Sequence, residues 1–215
     1  MKFRTVAIAG LGAAALAGCH HEGDIVIEEG VGITALRTTC PAVGIPDFTG
    51  DVTLFNPPEA RTADAMDVTA TMTDVRTTCD DSGEKVFATA TFNVLGQRRN
   101  TQGARSVTLP YFATVVRGGA TVVAKKIGMV TLNFADGQAR AQASAAGSAY
   151  VDKASATLPA DIRERITRKR KAGEAEAAVD PLSEPDVKAA LDRATFELLV
   201  GFQLTDDQLK YNATR

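Results

Sequence analysis

The feature that most constrains the fold of this chain is an alternation of apolar and polar side chains along its central part. Apolar residues occupy every second position from Met66 to Met72, and again from Val86 to Val94. A period of two is typical of a β-strand with one buried face. The sequence CDDSGE between the two segments is a cluster of turn-forming residues, so the segments are predicted to form a hairpin.

Two further tight turns follow the same rule. Gly118-Gly119 separates two β-branched runs, and Asp136-Gly137 separates an alternating segment from an alanine-rich one. Because glycine adopts positive φ without penalty, both pairs predict two-residue hairpins. A last alternating segment runs from Phe196 to Leu204. Short strands joined by tight turns predict a mainly β fold, an antiparallel sandwich or barrel, with an immunoglobulin-like or fibronectin-like β-sandwich preferred.

One region interrupts the strands. Residues 160–194 are rich in Ala, Glu, Lys and Arg and poor in β-branched residues, which predicts a short helical insertion near the C-terminus, built of two pieces. Residues 183–186 and residues 205–208 resemble capping boxes that begin a second and a terminal helix. Ile162 and Ile166 are four residues apart, so they are expected to pack the first helix on the sandwich.

The insertion carries a dense cluster of basic residues. Six cations lie within nine positions: Arg163, Arg165, Arg168, Lys169, Arg170 and Lys171. The spacing of Arg165, Arg168 and Lys169 predicts an outward stripe on the helix. Two interpretations remain open. The cluster is either a solvated helix face or a surface for anionic lipid or polymer, where each basic residue adds about 1 kcal/mol near an anionic membrane.

The N-terminus has the charge order of a secretory signal. Lys2 and Arg4 precede an uncharged run from Thr5 to Gly18. About 14 residues are too few to span a bilayer core, which needs roughly 20. The run is therefore predicted to be the apolar region of a signal peptide. A buried N-terminal helix is the alternative, but many Gly and Ala without a polar face make a poor core element.

The end of this run, Leu16-Ala17-Gly18-Cys19, resembles the lipobox of bacterial lipoproteins. The resemblance covers residues 1–19 and implies lipid attachment to the Cys19 thiol, cleavage before that residue and acylation of the new N-terminus. Each buried CH₂ of the acyl chains contributes about 0.8 kcal/mol to anchoring. Residue 20 is not Asp, which favours the periplasmic face of the outer membrane over retention in the inner membrane.

These observations divide the chain into a signal peptide (1–18), a lipidated tether (19–33) and a single β-sandwich domain (34–215) that includes the insertion. The chain has three cysteines. If lipid consumes Cys19, Cys40 and Cys79 remain as a pair, and export to an oxidising compartment favours a disulfide between them. Both cysteines end a copy of the tetrapeptide RTTC, but the sequences that follow the two copies differ. We therefore interpret the shared tetrapeptide as coincidence and not as an internal repeat.

Signals for catalysis or cofactor binding are weak. His20 and His21 are the only histidines, and they lie in the tether, where a rigid set of metal ligands is not expected. The sequence has no Gly-x-Ser-x-Gly elbow, and no Gly-rich phosphate loop follows a strand. We therefore predict no catalytic residues, no metal and no cofactor.

The overall charge narrows the choice of partners. The formal net charge is −2, and removal of Lys2 and Arg4 with the signal peptide changes it to −4, which gives no reason to expect nucleic acid. Three functions remain. The preferred one is a structural or assembly accessory, held at the membrane by its lipid, that contacts another envelope protein. The others are a binding module that uses the basic insertion on anionic lipid or polymer, and an enzyme with a buried pocket.

Overall fold

The computed structural model describes residues 37–171, 173 and 175–214, and this part of the chain is mainly β. Its strands are β1 (Ala42–Gly44), β2 (Asp51–Phe55), β3 (Met66–Asp80), β4 (Lys85–Arg98), β5 (Arg105–Arg117), β6 (Thr121–Phe134), β7 (Arg140–Asp152) and β8 (Phe196–Phe202). Its α-helices are α1 (Lys153–Ala156), α2 (Ala160–Thr167), α3 (Pro185–Ala194) and α4 (Asp206–Thr214). Short 3₁₀ helices lie at Ala63–Ala65, Ala175–Ala178 and Pro181–Ser183.

The strands form two four-stranded sheets. Sheet one has the order β1-β8-β5-β6, and sheet two has the order β2-β3-β4-β7. All neighbouring strands are antiparallel except β1 and β8, which run parallel. The prediction of a mainly β fold, rich in antiparallel pairs and accompanied by short helices, is confirmed.

Two of the three predicted hairpins are confirmed. β3 pairs with β4, and β5 pairs with β6 around Gly118 and Gly119, whose φ angles are 61° and 71°. The β5–β6 loop has three residues, 118–120, instead of the predicted two, because Arg117 pairs with Thr121. The third prediction is wrong. β6 pairs with β5 whereas β7 pairs with β4, so Asp136-Gly137 lies in a connection between the two sheets instead of turning a hairpin.

Arg98, the last residue of β4, explains this crossing. Its side chain is only 2% exposed. It donates four hydrogen bonds of 2.8 Å to the main-chain oxygens of Thr101, Gly103, Ala135 and Gln138. The first two acceptors precede β5 and the last two lie between β6 and β7, so one guanidinium holds both connections. Ala135 and Gln138 are 37 and 40 residues from Arg98 in the sequence, so local turn chemistry gives no sign of these contacts.

The inward faces of both sheets pack into one hydrophobic core. Glycines set how closely the sheets approach at two places. A Cβ added to Gly96 in β4 would lie 2.4 Å from a methyl carbon of Leu132 in β6. A Cβ added to Gly147 in β7 would lie 2.5 Å from the Cβ of Ala113 in β5. Larger side chains at these positions would force the sheets apart, because real Cβ contacts are not that short.

Helices α2 and α3 occupy the predicted insertion and bury their apolar residues against each other. Ile162 and Ile166 of α2 pack with Val187 and Leu191 of α3 in a second hydrophobic cluster. The expectation that the two isoleucines pack on the sheets is therefore wrong. The apolar residues of α3 follow the three-and-four spacing of an amphipathic helix and supply the partner surface.

The two predicted capping boxes have different outcomes. At α4, the Thr205 N–H donates to Gln208 Oε1 at 2.9 Å and the Gln208 N–H donates to Thr205 Oγ1 at 3.3 Å. At α3 the cap residue is Glu184, whose side chain makes no capping bond. The Ser183 hydroxyl instead donates to the Asp180 carbonyl at 2.7 Å, because a 3₁₀ turn leads directly into the helix.

Candidate functional site

The lipobox and the two histidines, at residues 16–21, lie outside the described residues, so lipid attachment at Cys19 stays a prediction. Within residues 37–171, 173 and 175–214, no helix is long and apolar enough to cross a membrane. The same residues contain no group of three or more His, Cys, Asp or Glu side chains that could hold a metal ion.

The predicted disulfide is present. Cys40 and Cys79 are bonded, with their Cα atoms 6.1 Å apart. Cys40 precedes β1 of sheet one and Cys79 lies in β3 of sheet two, so the bridge joins the two sheets covalently. It closes a loop with a sequence separation of 39, which corresponds to about 4 kcal/mol of stabilisation in the chain-entropy model.

The six predicted basic residues occupy different environments. Helix α2 ends at Thr167, and Arg168 has extended backbone angles, so the helical stripe of Arg165, Arg168 and Lys169 does not form. Arg165 is partly buried and Arg170 is 6% exposed. The side chains that the fold leaves exposed are Arg163, Arg168, Lys169 and Lys171.

Arg165 connects the two helices of the insertion. It forms ion pairs with Glu184 and Asp186 at the start of α3. Hydrogen bonds to Asp186 and Glu184 raise the pKa of Arg165, and the bond from Arg165 lowers the pKa of Asp186. The Arg170 guanidinium donates to the Arg165 carbonyl at 3.1 Å. Arg165 and Arg170 therefore contact residues of the insertion itself.

A different surface lies on β6, the outer strand of sheet one. In Thr121–Met129, which we call the exposed half of β6, every residue except Gly128 is exposed. In Val130–Phe134, which we call the buried half, every second residue is buried. The exposed half includes four large apolar side chains, namely Val122 (60% exposed), Val123 (46%), Ile127 (53%) and Met129 (66%).

Tyr111 marks the boundary between the two halves. It pairs with Gly128 across the β5–β6 ladder, and a Cβ on Gly128 would lie 2.4 Å from the tyrosine Cζ. The Tyr111 hydroxyl donates to the carbonyl of Ala146 in β7 at 2.8 Å. The tyrosine thus closes the core between β5 and β7, and the part of β6 before Gly128 lies outside it.

The exposed half is also positively charged. The hairpin Arg105–Phe134 contains four cations and no acidic residue. Lys125 and Lys126 are adjacent, so they project to opposite faces of β6. The Lys125 ammonium lies 5.1 Å from the ring centroid of Phe112. Sequence analysis did not single out this surface, although the two lysines inside a β-branched run were a usable signal.

A cleft beside the disulfide has a volume of about 420 Å³. Pro41, Ala156, Leu158 and Phe196 contribute apolar surface to it. Of the described residues that line it, only Arg37 carries a charge. The convergent titratable groups that mark a typical active site are therefore not found among these lining residues.

No protein-family model, curated protein or solved structure matches this chain. Its function therefore has to be inferred from its own residues. The features that bear on it are the two sheets joined by a disulfide, the exposed half of β6, and the exposed basic residues of the insertion.

Proposed function

We propose that this chain is a lipid-anchored cell-envelope protein with a non-catalytic role, a structural or assembly accessory that contacts another envelope protein. The proposed contact with another protein is supported by the apolar surface on the exposed half of β6. Single exposed apolar residues are ordinary on protein surfaces, but here four lie together on one strand. Contiguous exposed apolar patches mark interaction sites.

Co-purification from detergent-solubilised envelopes tests the contact. The tagged full-length protein is compared with a variant carrying Ile127→Asn and Met129→Asn. Leu209→Asn on α4, where the leucine is 41% exposed, is the matched control. We expect the parent and the control to recover the same protein at low salt and to retain part of it at high salt, because salt screens charges but leaves apolar contacts in place. Recovery of that protein by the β6 variant would contradict the proposal.

The anchor is proposed on the lipobox at residues 16–19 and on the charge order that precedes it. The Cys40–Cys79 bridge agrees with an oxidising compartment outside the cytosol. Cys19→Ser removes the only thiol placed to receive the lipid, so we expect an unlabelled precursor or soluble protein. Labelled fatty acid should enter the parent alone. A variant that is still labelled and still fractionates with the outer membrane would refute the anchor.

We also propose that the domain is an antiparallel sandwich of the immunoglobulin or fibronectin type. Support comes from two four-stranded sheets around one core and from the disulfide between them. The parallel β1–β8 pair and the helical insertion are departures from that scheme. An experimental structure tests the proposal, since sheets of this type align within about 30° of each other. Strands that cross near a right angle would exclude it.

The alternative function is a binding module for anionic lipid or polymer. Arg163, Arg168, Lys169 and Lys171 remain exposed, and this observation favours it. Changing Arg163, Arg168 and Lys169 to Gln should leave folding nearly unchanged, because exposed charges contribute little to stability.

Dextran sulfate is a soluble anionic probe for this alternative. The full chain in neutral detergent should bind it more tightly at low than at high salt. The triple Gln variant should bind more weakly than a control with Lys85, Lys188 and Lys210 changed to Gln. Equal binding by both variants would exclude a role for the basic cluster.

A further inference from the structure

We propose that the exposed half of β6 binds an extended, acidic segment of the partner protein as an additional strand of sheet one, an inference that rests on the function proposed above. β6 lies at the edge of sheet one, and among the described residues only β5 pairs with it. An edge strand presents main-chain N–H and C=O groups that another strand can pair with. Strand addition of this kind is a common mode of peptide recognition.

A regular segment of suitable length is available within the exposed half. Val115 pairs with Ala124 and Val116 pairs with Val122, so Val123 is the extra residue of a β-bulge. Bulges twist a strand and disturb pairing. The run that follows, Ala124–Met129, is regular and six residues long, which is about the usual length of a strand. The added strand would pair with this run.

Side-chain positions define the chemistry of the added strand. Residues directly opposite each other on neighbouring strands have Cβ atoms about 5 Å apart. Lys125 and Lys126 lie on opposite faces, so the partner needs acidic residues on both faces. Ile127 and Met129 share a face with Lys125, which calls for apolar residues next to the acidic one. The β5–β6 hairpin carries no acidic residue that would repel such a segment.

A second copy of this chain is a poorer occupant. Antiparallel pairing of β6 with β6 about the centre of Ala124–Met129 would place Lys125 of each copy on the same face as Lys126 of the other, as diagonal neighbours. Like charges on adjacent strands destabilise the pair, and lysines on an edge strand oppose self-association. The same two lysines therefore disfavour a homodimer and select an acidic partner.

Peptide binding to the full-length protein in neutral detergent tests the proposal. Three fluorescent eight-residue peptides are compared by anisotropy. The first contains four Glu and four Val residues with Glu on both faces, the second has Lys in place of Glu, and the third is the first with every main-chain amide nitrogen methylated, so that neither edge of the peptide can donate. We expect the first to bind about tenfold more tightly than the second, because the charges are complementary. The third should bind no better than the second, since methylation removes its ladder donors.

Charge reversal supplies the matched comparison. The double variant Lys125→Glu and Lys126→Glu should invert the preference between the Glu and Lys peptides. A control with Arg163→Glu and Lys188→Glu, on α2 and α3, changes the net charge equally and should keep the parent's preference. An unchanged preference in the β6 variant, or equal binding of the methylated peptide, would overturn the proposal.

These results separate the two proposals. If the peptide preferences hold but no envelope protein is recovered in the co-purification experiment, strand addition stands and the accessory function fails. If a protein is recovered through β6 but the peptides show no preference, the accessory function stands and strand addition fails.

Discussion

The two halves of β6 both contain apolar residues that favour a strand, but their surroundings are opposite. In the buried half, Val130, Leu132 and Phe134 are 4%, 0% and 2% exposed. In the exposed half, Val122 and Ile127 are 60% and 53% exposed. Both halves contain β-branched and other apolar residues that favour a strand. The presence of strand-favouring apolar residues therefore does not explain why one half is covered and the other is not.

The difference lies in what packs against each half. At the base of the hairpin the Arg98 guanidinium lies 5.3 Å from the ring centroid of Phe134. Beside it, Arg105 donates hydrogen bonds of 2.8 and 2.7 Å to the two carboxylate oxygens of Asp67 in sheet two. At the other end Tyr111 closes the core. Strand propensity thus decides that β6 forms, while long-range contacts decide which half is buried.

The largest effect is expected from Arg98→Met, at the base of the hairpin. The change leaves four main-chain oxygens without their donor. It should lower the free energy of unfolding by about 4 kcal/mol, in the range seen when a buried charged partner is removed. Denaturant unfolding measures the loss. Arg99→Met is the adjacent control, and its side chain is 58% exposed. Equal, small losses in both variants would contradict an anchoring role for Arg98.

The next effect is expected from Leu132→Ala in the buried half. Leu132 is fully buried and lies against Gly96 of the opposite sheet. Because glycine has no side chain to fill the space, a cavity should remain and cost about 3 kcal/mol. Denaturant midpoints of parent and variant give the value. A loss below about 1 kcal/mol would mean that this half of β6 is not part of the cooperative core.

The sequence predicted the elements better than their contacts. Alternation located β3, β4 and β8, and the cysteine count led to the disulfide, because both depend on short-range or compositional rules. The hairpin predicted at Asp136-Gly137 does not form, because Arg98 binds main-chain oxygens that lie 37 and 40 residues away in the sequence. The exposed half of β6 was missed for a related reason. Alternation shows which side chains share a face, but it does not show whether another strand covers that face.

An intermediate effect is expected from Asp67→Asn, which tests the ion pair between Arg105 and Asp67 at the base of the hairpin. Hydrogen bonds from Arg105 hold the pKa of Asp67 below its usual range. A lowered pKa in the folded state stabilises the fold above about pH 4 and loses that contribution as the pH falls through the folded-state value. The variant should therefore be less stable by about 1 kcal/mol at pH 7, since Arg105 is 42% exposed.

Unfolding measured from pH 7 down to pH 2 checks this prediction. The difference between Asp67→Asn and the parent should shrink below about pH 4, where the parent carboxylate becomes protonated as well. Asp47→Asn, at an exposed turn position, is the control and should follow the parent throughout. A difference of constant size at all pH values would show that the ion pair is not its source.

The smallest effect is expected from Ile127→Thr in the exposed half, and it tests most directly whether the two halves of β6 differ in burial. Threonine keeps the β-branched shape that suits a strand, and Ile127 loses little contact because it is 53% exposed. The free energy of unfolding should change by less than about 0.5 kcal/mol. Val130→Thr, three residues along the same strand and 4% exposed, should cost about 1 to 3 kcal/mol because it buries a hydroxyl.

Binding of the acidic peptide should depend on the two positions in the opposite way. Ile127→Thr should weaken binding, and Val130→Thr should retain it under conditions where both variants are folded. If Ile127→Thr cost as much stability as Val130→Thr, another part of the chain would have to cover this half of β6, and the site would not be open to a partner.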